Sequence, residues 1–113
     1  MSVLGLRLKQ ARLRAGLSQE QLGMEAGLDP MSASTRMNRY ELGKRAPNFE
    51  LVEAFASVLG VPAPYFYAAD DTLAEVILRF GKMPPEERAQ VIELIGPRRH
   101  RRRVAGKLLP ERL

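Results

Sequence analysis

A length of 113 residues corresponds to about one domain, and a composition of 45% hydrophobic and 27% charged residues excludes disordered and membrane classes. The chain has no cysteine, which excludes disulfides, thiolate metal sites and cysteine nucleophiles. Its single histidine, His100, lies inside a basic run and supplies neither a metal cluster nor a Ser-His-Asp triad.

The net charge of +5 is unevenly distributed: residues 1–46 carry eight Lys/Arg against four acids, residues 47–95 three against eight, and residues 96–113 seven against one. A basic front and tail around an acidic middle suggest a polyanion-facing surface and a protein-facing segment. Residues 1–17 lack the continuous apolar stretch of a signal peptide. Nowhere do 18 apolar residues run together. A cytoplasmic protein without a membrane partner is therefore expected.

In chain order, Leu4, Leu8, Ala11 and Ala15 recur at helical spacing between Arg7, Lys9, Arg12 and Arg14, predicting an amphipathic helix over residues 3–15 that Gly16 stops. Ser18 and Gln21 form a capping box that opens a second helix over residues 19–26, anchored by Leu22 and ended by Gly27. Asp29-Pro30 begins a third element. From residue 32 to 42 that element has few apolar positions (Ala33, Met37, Tyr40) among Ser32, Ser34, Thr35, Arg36, Asn38 and Arg39. One of its faces packs and the other is rich in hydrogen-bond donors.

After the turn Gly43-Lys44-Arg45-Ala46-Pro47, Asn48 caps a fourth helix buried along Phe49, Val52, Phe55, Ala56 and Leu59, which Gly60-Val61-Pro62 ends. Residues 64–67 form a short helical turn that packs aromatics onto the core. Asp70 or Asp71 caps a further helix with Leu73, Val76, Ile77 and Phe80 on one side, closed by Gly81. Pro84-Pro85-Glu86-Glu87 starts another, carrying Val91, Ile92, Leu94 and Ile95. Nothing alternates with period two over a useful length, so the fold class is all-α. The tail after Gly96 has no core pattern, a composition compatible with disorder.

Two short helices joined by a turn, the second too polar to be buried, form the arrangement that places a recognition helix in the DNA major groove. From Leu4 to Val61 the chain resembles the helix-turn-helix regulators of the phage-repressor, Cro and Xre type. The resemblance rests on Leu8, Arg12, Ala15-Gly16-Leu17-Ser18-Gln19-Glu20-Gln21-Leu22, Ala26-Gly27-Leu28, Asn38-Arg39-Tyr40-Glu41-Leu42-Gly43-Lys44-Arg45-Ala46-Pro47 and Leu59-Gly60-Val61-Pro62. It implies a lambda-repressor-like five-helix DNA-binding domain over residues 1–68. A helical extension over 69–95 and a basic tail over 96–113 follow. Between Gly27 and Tyr40 the chain has about four residues more than the family's usual pattern. Either the recognition helix starts earlier or the turn before it is longer.

The groups available assign the contacts. Gln19, at the start of the second helix, is expected at the phosphate backbone. Ser34, Thr35, Arg36, Asn38 and Arg39 are base-edge or phosphate candidates, since Arg pairs with guanine and Asn with adenine in two-bond geometries. Thr35 and Arg36 align with the family's base-contacting positions. Lys44 and Arg45 are expected to grip phosphate, and Arg12 could do so from the first helix. For Arg39 the alternative is a carboxylate partner, Glu41 or Glu50. Glu41 is read as a structural partner of the first helix, Tyr40 as core, and Tyr65-Phe66-Tyr67 as core aromatics.

The apolar set Leu73, Val76, Ile77, Phe80, Val91, Ile92, Leu94 and Ile95 exceeds what an isolated two-helix appendage leaves exposed, and is expected to close the core and form a dimer interface. The function expected is a dimeric, sequence-specific repressor that binds double-stranded DNA. The alternative is an antitoxin that binds its toxin and autoregulates its operator, and a third class is an RNA binder using the basic cluster at residues 98–103. No paired carboxylates accompany a nucleophile or metal ligands, so no enzyme, cofactor or metal is expected.

Overall fold

The computed structural model describes residues 2–97, 102–104 and 107–109. It divides into two units, Met1–Gly81 and Lys82–Leu113.

The first unit is built from α1 (Val3–Arg14), α2 (Gln19–Glu25), α3 (Ala33–Glu41), α4 (Phe49–Leu59), a 3-10 turn (Ala63–Tyr67) and α5 (Asp71–Gly81). Each α-helix starts where the sequence offers an oxygen for otherwise unpaired N–H groups, with α3 the exception. Ser2 accepts from the Gly5 N–H, Ser18 from Gln21 and Asn48 from Leu51. Asp70, not Asp71, caps α5, its Oδ2 accepting from the Leu73 N–H at 2.8 Å.

Leu8, Leu22, Met37, Val52, Phe55, Tyr65 and Phe66 are the largest fully buried side chains, so one core is shared by α1, α2, α3, α4 and the 3-10 turn. Tyr67 points away and is 55% exposed, because three consecutive aromatics on a tight turn cannot all face one way. Phe49, expected in the core, is 60% exposed. It occupies the first helical position, before α4 has turned its apolar stripe inward at Val52, Phe55 and Ala56. Ala15 is likewise exposed, lying just beyond the last turn of α1. Gly5 permits the closest approach in the core: a Cβ there would lie 2.5 Å from the Glu41 carbonyl oxygen and 2.7 Å from that of Tyr40. The start of α1 thus rests directly on the end of α3.

The first unit extends past residue 68, where the sequence reading placed the end of the DNA-binding part. Ala74 of α5 is 2% exposed, and Ile77 and Leu78 pack against the same core. Arg7 adds a polar tie, donating from Nε to the Ala68 carbonyl (2.8 Å) and from Nη2 to the Ala69 carbonyl (3.2 Å) and the Asp71 carboxylate (2.9 Å).

In the second unit, α6 (Pro85–Ile95) has Pro at its first position and Glu86 and Glu87 in its first turn, both suited to a helix N-terminus. None of its residues is buried. The tail, which shows no alternation in sequence, contains two three-residue strands, β1 (Arg102–Val104) and β2 (Lys107–Leu109), paired antiparallel with Arg103 opposite Leu108. His100 and the first part of the basic cluster lie outside the described residues. Among the described residues no helix is long and apolar enough to cross a membrane.

Candidate nucleic-acid interface

The α2–α3 pair is held at close range by small residues, and a capping box closes the start of α2. Ser18 and Gln21 close the box as the sequence predicts, the Gln21 N–H donating to Ser18 Oγ (3.0 Å) and the Ser18 N–H to Gln21 Oε1 (2.8 Å). Gly23, on the inner face of α2, lets α3 approach closely: a Cβ would stand 3.0 Å from the Ala33 Cβ and 3.1 Å from Met37 Cγ, so a larger residue would push α3 back by a few tenths of an ångström.

The residues between α2 and α3 form a turn. Asp29 Oδ1 accepts from the Met31 N–H at 2.9 Å, and its carbonyl accepts from the Ser32 N–H at 3.0 Å. Pro30 to Ser32 therefore form a turn rather than the first residues of a helix, and α3 begins at Ala33. Asp29-Pro30 does not start the helix, because its cap-like hydrogen bonds close the turn instead. Ser32 stands at the N-cap position but makes no capping bond.

From that start, Ala33, Met37, Tyr40 and Glu41 face inward. Ser34, Thr35, Arg36, Asn38 and Arg39 are all exposed, as are Lys44 and Arg45 in the following turn. The structure thus leaves seven of the eight expected DNA-contacting side chains exposed on α3 and the turn after it, with Gln19 half-buried. Among the described residues Arg39 makes no ion pair, so neither Glu41 nor Glu50 takes it.

Beneath this surface lies a polar network. Arg12 and Glu41 form a two-bond fork, Nε to Oε2 at 2.6 Å and Nη2 to Oε1 at 3.1 Å, and Arg12 Nη1 donates to the Leu17 carbonyl at 2.9 Å. Arg12 is therefore unavailable to phosphate: it is 9% exposed and committed to Glu41, which corrects the expectation that it could reach DNA. Gln19 Nε2 donates to Glu41 Oε1 (3.1 Å) and Asn38 Oδ1 (3.3 Å), linking the start of α2 to the exposed face of α3. Arg36 Nη2 donates to the Tyr40 hydroxyl at 2.8 Å.

Sequence reasoning missed the burial of Arg7 and Arg12. The signal was present: Arg7 lies three residues after Leu4 and Arg12 four after Leu8, both on the flanks of the apolar stripe. The expected dimer set divides. Leu73 and Val76 on α5 are 51% and 48% exposed, and Ile92, Leu94 and Ile95 on α6 are 59%, 87% and 66% exposed. Ile77, Phe80 and Val91 are half-buried, and Ile77 packs on its own core.

Residues 3–64 match the helix-turn-helix domain family. Among solved structures, the crystal structure of the transcriptional regulator BswR is similar to this chain at 48% identity and a TM-score of 0.76, covering 80% of this chain and 90% of that one. No curated protein sequence matches the chain.

Proposed function

The chain belongs to the helix-turn-helix family of transcriptional regulators, and from that premise we propose that it is a sequence-specific repressor that binds double-stranded DNA as a homodimer, with α3 in the major groove. The observation that carries the reading is the exposed row Ser34, Thr35, Arg36, Asn38 and Arg39 on a helix whose inner face is locked by Met37, Tyr40 and the buried Arg12–Glu41 fork. A rigid helix lined with hydrogen-bonding groups suits base edges and phosphates at fixed distances. Lys44 and Arg45, in the turn just past α3, are placed for phosphate.

One such helix covers too little DNA for specificity in a genome, and modules of this kind gain it by reading two half-sites about one helical turn apart. In this reading Leu73 and Val76 of α5, with Ile92 and Ile95 of α6, supply the apolar contact between two copies. A dimer bound across a promoter blocks polymerase without any further domain, hence repression. The site of action is the cytoplasm, and no cofactor is required.

Selection of bound duplexes from a random pool tests the reading. The expected result is a site of two inverted half-sites with centres about 10–10.5 base pairs apart, and recovery of no preferred sequence overturns it. Light scattering on the free protein tests the homodimer. A monomer at micromolar concentration removes it and assigns the exposed Ile92, Leu94 and Ile95 to a different chain, as an antitoxin would use them.

A further inference from the structure

We infer that Arg36 grips a backbone phosphate of DNA and does not read a base, and that Tyr40 is the residue that positions it. The inference rests on the DNA-binding reading and assigns within it a role that alignment alone would have given to base recognition.

The first observation is direction. The Arg36 guanidinium reaches one turn towards the C-terminal end of α3, where Nη2 donates to the Tyr40 hydroxyl at 2.8 Å and Cζ lies 5.8 Å from the centre of the Tyr40 ring. A hydrogen bond and a cation–π contact on the same partner hold the head group in one place. Tyr40 is itself a fixed post: it is 4% exposed, and its ring meets Phe55 edge-on at 6.2 Å. Its hydroxyl oxygen accepts from Arg36 and acts through that bond.

The second observation is company. Arg36, Arg39 and Arg45 line one open cavity of about 740 Å³ together with Tyr40, Asn48 and Glu50, beside the N-terminus of α4. Three guanidinium groups against one carboxylate leave a net +2 around a space that Asn48 furnishes with a further polar group. That is a cradle for a phosphate diester, which accepts several donors from different directions. Ser34, Thr35 and Asn38, the other groups of the exposed row, do not line this cavity. Base discrimination is left to them, and the arginines on the cavity side set affinity and register.

The two roles differ in what salt and sequence do to a variant. A lost phosphate contact weakens binding uniformly across sequences and lowers the slope of log affinity against log salt by about one, whereas a lost base contact relaxes preference at one position. The test measures binding of wild type, Arg36→Ala, Tyr40→Phe and the double variant to the selected site and to a scrambled duplex of equal length, between 50 and 200 mM salt. Arg36→Ala, which removes one phosphate contact from each protomer of the dimer, is expected to weaken both duplexes by the same factor and to reduce the salt slope by about two. Tyr40→Phe, which keeps the ring and its Phe55 contact, is expected to move in the same direction by less, with an unchanged melting temperature. Adding it to Arg36→Ala is expected to cost nothing further.

An Arg36→Ala protein with an unchanged slope and a relaxed preference at one base pair overturns the assignment. Full additivity of the two substitutions overturns the positioning role of Tyr40. Wild type that binds neither duplex removes the functional reading itself, and the assignment with it.

Discussion

Arg12 and Glu41 meet at 2.6 Å with their side chains 10% and 3% exposed, and Gln19 supplies a further donor to the carboxylate. Such a pair contributes little net stability over an apolar substitute, yet breaking it strands a charge in the core. Glu41→Ala is therefore expected to cost about 3–5 kcal/mol of unfolding free energy, read as a lower denaturant midpoint. Arg7 poses the opposite case. Its Asp71 partner is 90% exposed, so screening by water reduces that ion pair to roughly 0–1 kcal/mol. The carbonyls of Ala68 and Ala69 have Arg7 as their donor in the same place. Asp71→Asn is expected to leave the melting curve nearly unchanged, while Arg7→Ala costs about 1–3 kcal/mol for the buried Ala68 carbonyl left unpaired. Equal losses in the two variants would show that the ion pair, not the carbonyl contacts, ties α5 to α1.

At the scale of elements, the residues between α2 and α3 form a turn and Ala33 starts the helix. The Asp29–Ser32 hydrogen bonds close that turn, and Met37 and Tyr40 reach the core. For α5 the two faces separate cleanly. Ala74, Ile77 and Leu78 belong to the first unit's own core, whereas Leu73 and Val76 lie about half exposed. A charge at Ile77 would damage folding as well as assembly, so Val76→Asp is the cleaner substitution. It is expected to convert the dimer to a monomer in light scattering, with near wild-type melting, and to weaken binding to the two-half-site operator far more than to a single half-site. A Val76→Asp protein that remains dimeric would remove α5 from the interface.

Across the whole chain, the basic residues 1–46 include the proposed phosphate contacts, and the acidic segment 47–95 includes the faces proposed for self-association. Because phosphate neutralisation releases counterions, each contact contributes about −0.9 to the slope of log affinity against log salt. Arg36, Arg39, Lys44 and Arg45 in each of two protomers predict a slope of about −7 for the dimer. Filter binding over a salt series checks this, and a slope near half that value would indicate that one protomer at a time engages the DNA.

Caps, breakers and apolar spacing made most of the helices legible: Ser18 with Gln21, Asn48, Gly16, Gly60 and Pro85 act within one or two turns, so their effect can be read without knowing what lies opposite. The donor-rich face of α3 was legible for the same reason, since a helix with Ala33, Met37 and Tyr40 on one side must present Ser34, Thr35, Asn38 and Arg39 on the other. Spacing by itself therefore determined the helices of residues 3–95, among them a helix-turn-helix whose second helix keeps a polar, exposed face. Only the tertiary structure decided which charges are surface charges. Arg12 meets Glu41 29 residues away, and Arg7 meets the 68–71 segment more than 60 residues away. It also decided that α5 belongs with the first unit and that Arg36 leans on Tyr40 beside Arg39 and Arg45. Those outcomes depend on which groups fold brings within hydrogen-bonding distance, and pairing at such separations leaves no period in the sequence.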